Sequence, residues 1–89
     1  MQASTVTIVN KLGLHARAAA KFVTLASSFA SEIKLARDGQ EVNGKSIMGV
    51  MMLAASRGCQ VTVTASGEDE REAITRLTEL IEQRFGEDE

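Results

Sequence analysis

The chain contains no proline, and its seven glycines cut it into short segments whose apolar repeat switches between the strand and the helix period. Residues Ser4 to Val9 alternate, with Val6 and Ile8 on one face and Thr5 and Thr7 on the other, which predicts a half-buried strand. Asn10-Lys11-Leu12-Gly13 reads as a loop. From Ala16 the repeat turns helical: Ala16, Ala19, Ala20, Val23 and Ala26 share a face that Phe22, Leu25 and Phe29 widen. The alanines favour helix and permit close packing. Glu32 to Arg37 alternate again, with Ile33 and Leu35 inward, and Asp38-Gly39 is a hairpin turn that pairs Gln40 to Val42 back.

Ser46 then stands as a cap before Ile47, Met48, Val50, Met51, Met52 and Leu53, a short apolar helix. Gln60 to Ala65 alternate, with Val61, Val63 and Ala65 on one side. Ala73, Ile74, Leu77, Leu80, Ile81 and Phe85 form the stripe of a last amphipathic helix, with Glu68, Asp69 and Glu70 near its positive end. The order is βαββαβα. Strict alternation in the strands implies an antiparallel sheet covered on one face only. The expected fold is α+β, an open-faced β-sandwich in which three helices cover one face of a four-stranded antiparallel sheet.

With 89 residues the chain is expected to form one domain, 1–89, with no room for a deep cavity and a lid. That size favours a binding or carrier module over a self-contained enzyme. A net charge of −2 provides no basic face for nucleic acid, and without Trp or Tyr there is no stacking platform for bases. The lone cysteine, Cys59, excludes an internal disulfide framework and fits a reducing cytosol. No signal peptide or membrane-length run is evident, so a cytoplasmic location and no membrane association are expected. No metal-ligand spacing occurs, and no metal or other cofactor is expected. The acidic end Glu87-Asp88-Glu89 reads as a solvated terminus.

The single histidine, His15, falls directly before the first helical pattern. A ring there lies beside the unpaired backbone N–H groups of a helix start, which suit a phosphoryl group added to the ring better than an imidazolium. Arg17, two residues on, offers a permanent charge in a fork matched to phosphate oxygens. Neutral imidazole is a nucleophile near neutral pH, and phosphorus bonded to its nitrogen keeps a high transfer potential. The motif holds no general-base partner, so a partner protein would supply further catalytic groups. By position alone, a lone histidine near a helix start is more often a cap or surface residue, and spacing by itself does not establish function.

Asn10-Lys11-Leu12-Gly13-Leu14-His15-Ala16-Arg17 resembles the active-site signature of the HPr family, histidine phosphocarriers of the bacterial phosphotransferase system. Asn43-Gly44-Lys45-Ser46-Ile47-Met48-Gly49-Val50-Met51 resembles the family's second signature, around a regulatory serine. The likeness spans nearly the whole chain. It implies that His15 is phosphorylated on Nδ1 by phosphorylated Enzyme I, which draws on phosphoenolpyruvate, and passes the group to EIIA proteins or domains. It implies that Arg17 and backbone N–H groups at the helix start, that of Ala16 among them, assist the phosphoryl group. It also implies that Ile47, Met48, Met51 and Ala20 contact those partners. The family usually has proline where this chain has Ala18, which predicts retained transfer with a slightly looser helix entry.

In relatives with an HPr kinase/phosphorylase, the serine matching Ser46 is phosphorylated and transfer through the histidine weakens. On residue grounds alone Ser46 is an N-cap, and the two roles are compatible. Ile47, Met48, Met51 and Met52 cannot easily all face one sheet, and methionines left outside suit a surface that binds several partners. Thr24 and Ser27 are neutral where family members often carry basic residues. Two other readings remain at this stage: the carrier of a nitrogen-related phosphotransferase branch, and a regulatory module of the same fold that carries no phosphate on histidine. A monomer is expected.

Overall fold

Every strand and helix that the periodicity predicts is formed in a computed structural model that describes residues 1–89. The elements are β1 (Gln2–Thr7), α1 (Ala16–Ser27), β2 (Glu32–Arg37), β3 (Gln40–Asn43), α2 (Ile47–Met52), β4 (Gln60–Ser66) and α3 (Glu70–Glu82). The sheet order is β1-β4-β2-β3, and every pairing is antiparallel. The register carries the alternation across the sheet: Val6 pairs with Val61, Leu35 with Val63 and Ile33 with Ala65, and all six are buried. On the other face Thr5 and Thr62 join hydroxyls at 3.0 Å in the open.

The helices cover the apolar face. α3 packs on β1 and β4, α2 reaches β3, and α1 packs against both of these helices. One continuous cluster of 21 buried hydrophobic residues results, so the three helices and the sheet share a single core. Each fully buried Val, Leu, Ile or Phe in it contributes about 1.5–3 kcal/mol. Asp38 and Gly39 both have positive φ, 50° and 83°, as a two-residue hairpin turn requires.

Two expectations need correction. Ala16 is exposed and Ala20 only half-buried, whereas Ala18 is fully buried. The apolar face of α1 is therefore Ala18, Ala19, Phe22, Val23 and Ala26, rotated from the face that began at Ala16. Phe85 is buried but does not continue α3. The helix stops at Glu82, and Arg84, Phe85 and Gly86 take φ of 60°, 54° and 79°. Ile81 and Phe85 are four apart, so helical spacing placed them on one stripe; in fact the chain reverses and drives Phe85 back into the core.

The start of α3 is tied to the connection between α1 and β2. The Asp69 carboxylate accepts from the Ala30 and Ser31 amides at 2.9 Å each and from the Ser31 hydroxyl. These bonds, the Ser31 hydroxyl first and the Ala30 amide next, hold the Asp69 carboxyl below its ordinary pKa against the opposing effect of burial. The acidic residue at the helix start thus works as a clamp between elements, and its side chain does not cap its own helix.

Candidate functional site

The loop that delivers His15 is fixed by close backbone approach. Gly13 has a φ of +67°, and a Cβ there would meet the Ala55 carbonyl oxygen at 2.6 Å and the Ser56 Cα at 2.8 Å. Leu14 donates its N–H to that same Ala55 oxygen at 2.9 Å and is itself buried. Asn10, wholly buried, donates from Nδ2 to the Gly13 carbonyl at 2.8 Å and closes the loop on itself. The next residue, His15, is the N-cap of α1 in extended backbone conformation, and its carbonyl accepts the Ala19 N–H at 2.8 Å.

The His15 side chain does not cap the helix. Its ring is 28% exposed, and Nε2 meets the Glu87 carboxylate. Ala16 and Arg17 occupy the first turn of α1, where N–H groups have no intrahelical acceptor. Arg17 is exposed and enters no ion pair, and Lys11, Arg17 and Lys21 line an open depression with His15. Lys11 is paired with Glu89 at 3.7 Å, so the unpaired Arg17 and the helix start are what suit the surface beside the imidazole to an anionic group.

The opposite wall of that depression comes from the far end of the sequence. It is made of Gly86, Glu87, Asp88 and Glu89, the segment read from sequence as a solvated end. Glu87 is half-buried: one carboxylate oxygen accepts from Asn10 Nδ2 at 3.0 Å and the other meets His15. The Lys11 amide donates to the Glu89 main-chain oxygen, and Lys21 Nζ donates to the Phe85 carbonyl at 2.7 Å. Burial opposes ionisation of Glu87, but the hydrogen bonds from Asn10 and His15 and the nearby positive charge outweigh it and hold its pKa below the ordinary value. The motif around His15 lacks an acid–base partner, and the fold supplies a carboxylate from 72 positions away. The signal available in sequence was Phe85-Gly86, an apolar anchor followed at once by a residue free to turn.

The second motif forms a separate feature. The Ser46 hydroxyl accepts the Gly49 N–H at 3.1 Å and caps α2, as its position predicts. α2 buries Val50, with Leu53 just beyond, and exposes Ile47, Met48, Met51 and Met52 at 44%, 75%, 41% and 66%. The methionines divide from the core as the crowding argument requires. No group of three His, Cys, Asp or Glu side chains is gathered for a metal ion, and no helix is long and apolar enough to cross a membrane.

The family model described as the PTS HPr component phosphorylation site matches residues 2–83. The chain belongs to the HPr family. It is 58% identical to a phosphocarrier protein HPr of Cupriavidus necator over 83 residues, 93% of each chain. Among solved structures it resembles HPr-C-His from Thermoanaerobacter tengcongensis, with 52% identity, full coverage of both chains and a TM-score of 0.96. An HPr dimer from the same organism aligns with a TM-score of 0.78 at 53% identity, over 98% of this chain and all of that one. The fold and the class, a phosphocarrier of the phosphotransferase system, are those read from the two HPr signatures.

Proposed function

We propose that this HPr-family chain carries a phosphoryl group on Nδ1 of His15, taking it from phosphorylated Enzyme I and passing it to EIIA proteins or domains for sugar uptake and its regulation. The observation that carries this reading is the partly exposed His15 ring at the N-cap of α1, with the exposed and unpaired Arg17 in the same depression. The exposed Arg17 guanidinium is free to take phosphoryl oxygens in bidentate fashion, and the Ala16 N–H adds a donor from the first helical turn. Because the group is held by an open surface and not enclosed, the partner completes the site during transfer.

The exposed Ile47, Met48 and Met51 would dock those partners, with the half-buried Ala20 on the adjoining α1. Ser46 is the regulatory position: a phosphate placed there by an HPr kinase/phosphorylase puts negative charge at the edge of that apolar patch. The chain acts in the cytoplasm as a single monomeric domain that forms transient one-to-one complexes.

The test is incorporation of label from phosphoenolpyruvate in the presence of Enzyme I, with wild type and His15→Ala compared. Acid-labile, base-stable label on wild type and none on the variant is the expected result. An unlabelled wild type beside a labelled control HPr would overturn the reading in favour of the nitrogen-related branch or a regulatory module.

A further inference from the structure

We propose that Glu87 is a positioning residue for His15: its carboxylate keeps the ring proton on Nε2, so that Nδ1 holds the lone pair that takes the phosphoryl group. The inference rests on the phosphocarrier reading and deepens it. A neutral imidazole carries one N–H, and which nitrogen bears it is set by the partner of the other. An ionised carboxylate only accepts. With Glu87 on Nε2, that nitrogen must donate, and Nδ1 is left as the nucleophile.

Glu87 is held as an orienting group must be held. Its second oxygen is engaged by Asn10, whose same Nδ2 also bonds the Gly13 carbonyl in the His15 loop. Its backbone follows a tight reversal at Arg84, Phe85 and Gly86, with the Phe85 ring wholly buried and the Phe85 carbonyl bonded by Lys21. Past it, the Lys11 amide binds the Glu89 main-chain oxygen. The carboxylate is thus anchored on both sides in sequence and through the oxygen that faces Asn10, so little freedom is lost when the other meets the ring.

The chemistry uses the pair in both directions. As the Nδ1–P bond forms, the bond between phosphorus and the donor breaks, and the donor leaves with its bonding electrons. The Nε2 proton stays in place, so the ring becomes cationic, and the adjacent Glu87 charge stabilises it in the manner of the carboxylate behind a catalytic histidine. On delivery the Nδ1–P bond breaks and the ring departs as neutral imidazole, again with no proton to move.

The experiment compares wild type with Glu87→Ala by 1H–15N spectroscopy of the His15 ring at about pH 8, where an ordinary imidazole is neutral, and by the rate of phosphoryl acceptance from Enzyme I. Wild type should show a slowly exchanging Nε2–H and a 15N shift that places the lone pair on Nδ1. The variant should lose the N–H signal and accept phosphate about tenfold more slowly, the order expected for one charge-assisted hydrogen bond. The backbone spectrum of the same sample establishes that the variant is folded. A ring N–H that persists in the variant, its absence from both proteins, or acceptance at the wild-type rate would overturn the assignment. A wild type that takes no label fails the carrier reading before any Glu87 variant is made, and the ring spectrum still decides whether Glu87 sets the tautomer.

Discussion

Asn10 and Glu87, 77 positions apart, are joined by a 3.0 Å hydrogen bond from Nδ2 to a carboxylate oxygen. Nδ2 is shared with the Gly13 carbonyl, so one buried amide holds both the loop that presents His15 and the segment that covers it. Asn10→Ala releases both. The expected loss is about 1–3 kcal/mol in urea unfolding, the cost of leaving buried polar partners unpaired. Amide exchange should quicken at residues 10–15 and 84–89 together. Protection lost in only one of these segments would contradict the shared anchor.

Three carboxyls, Asp69, Glu70 and Glu87, are held below their ordinary pKa values of 3.8, 4.5 and 4.5. A depressed carboxyl contributes stability that is complete above its unfolded value and is lost as pH falls through its folded value. The melting temperature should therefore be flat from neutrality down to the ordinary carboxylate range and fall below it. Asp69→Asn, which removes the clamp on Ala30 and Ser31, should lower the neutral-pH melting temperature and make the acid-side fall shallower. Thermal melts across this range check both; an unchanged acid slope would show that Asp69 is not among the groups responsible.

The elements and the two motifs were legible because each is written in local periodicity or a short run of residues. Val6 and Ile8, Ile33 and Leu35, and Val61 and Val63 all face the core as their alternation requires. The Ser46 cap follows from a serine standing just before an apolar run. What stayed hidden depends on long-range closure. Phe85 fits the helical stripe by spacing, and only its positive φ separates it from α3. Glu87 sits among acidic residues that resemble any solvated end, and nothing local distinguishes it from Asp88 or Glu89. The His15–Glu87 pair exists because the chain reverses after α3, and no sequence window contains both residues.

The division of α2 into a buried and an exposed side separates stability from docking. Leu53→Ala, at a position 3% exposed, should cost about 2–5 kcal/mol in unfolding experiments. Met48→Glu, at a position 75% exposed, should change stability by no more than about 0.5 kcal/mol. It should nonetheless weaken the complex with Enzyme I by about tenfold or more, read by titration calorimetry. Equal affinity for Met48→Glu and wild type would remove the α2 patch from the docking surface.

Ser46→Ala and Ser46→Asp should part company. Alanine removes the oxygen that accepts the Gly49 N–H and should cost about 1 kcal/mol. Aspartate keeps an acceptor at the cap and adds a charge that the helix start tolerates, so the fold should hold its stability. The same charge lies next to Ile47 and Met48, and phosphoryl acceptance from Enzyme I should slow. Denaturant melts and labelled transfer on the two variants measure the two effects separately; wild-type transfer in Ser46→Asp would argue against regulation at this serine.

Ala18 stands in the first turn of α1, three residues past the His15 cap, where its N–H has no intrahelical acceptor. Proline there removes no helical hydrogen bond, and its fixed φ is the helical one. Ala18→Pro should therefore stabilise the protein by about 0.4–1 kcal/mol, chiefly by restricting the unfolded chain. The opposing factor is space, since Ala18 is fully buried and the added ring must fit against its neighbours. Overpacking of that kind costs about 1–3 kcal/mol, enough to reverse the sign. Urea unfolding decides which effect wins. Stabilisation together with faster acceptance at His15 would mean that this chain's alanine leaves the helix entry looser than it need be, and destabilisation would mean that the core beneath α1 is packed for alanine.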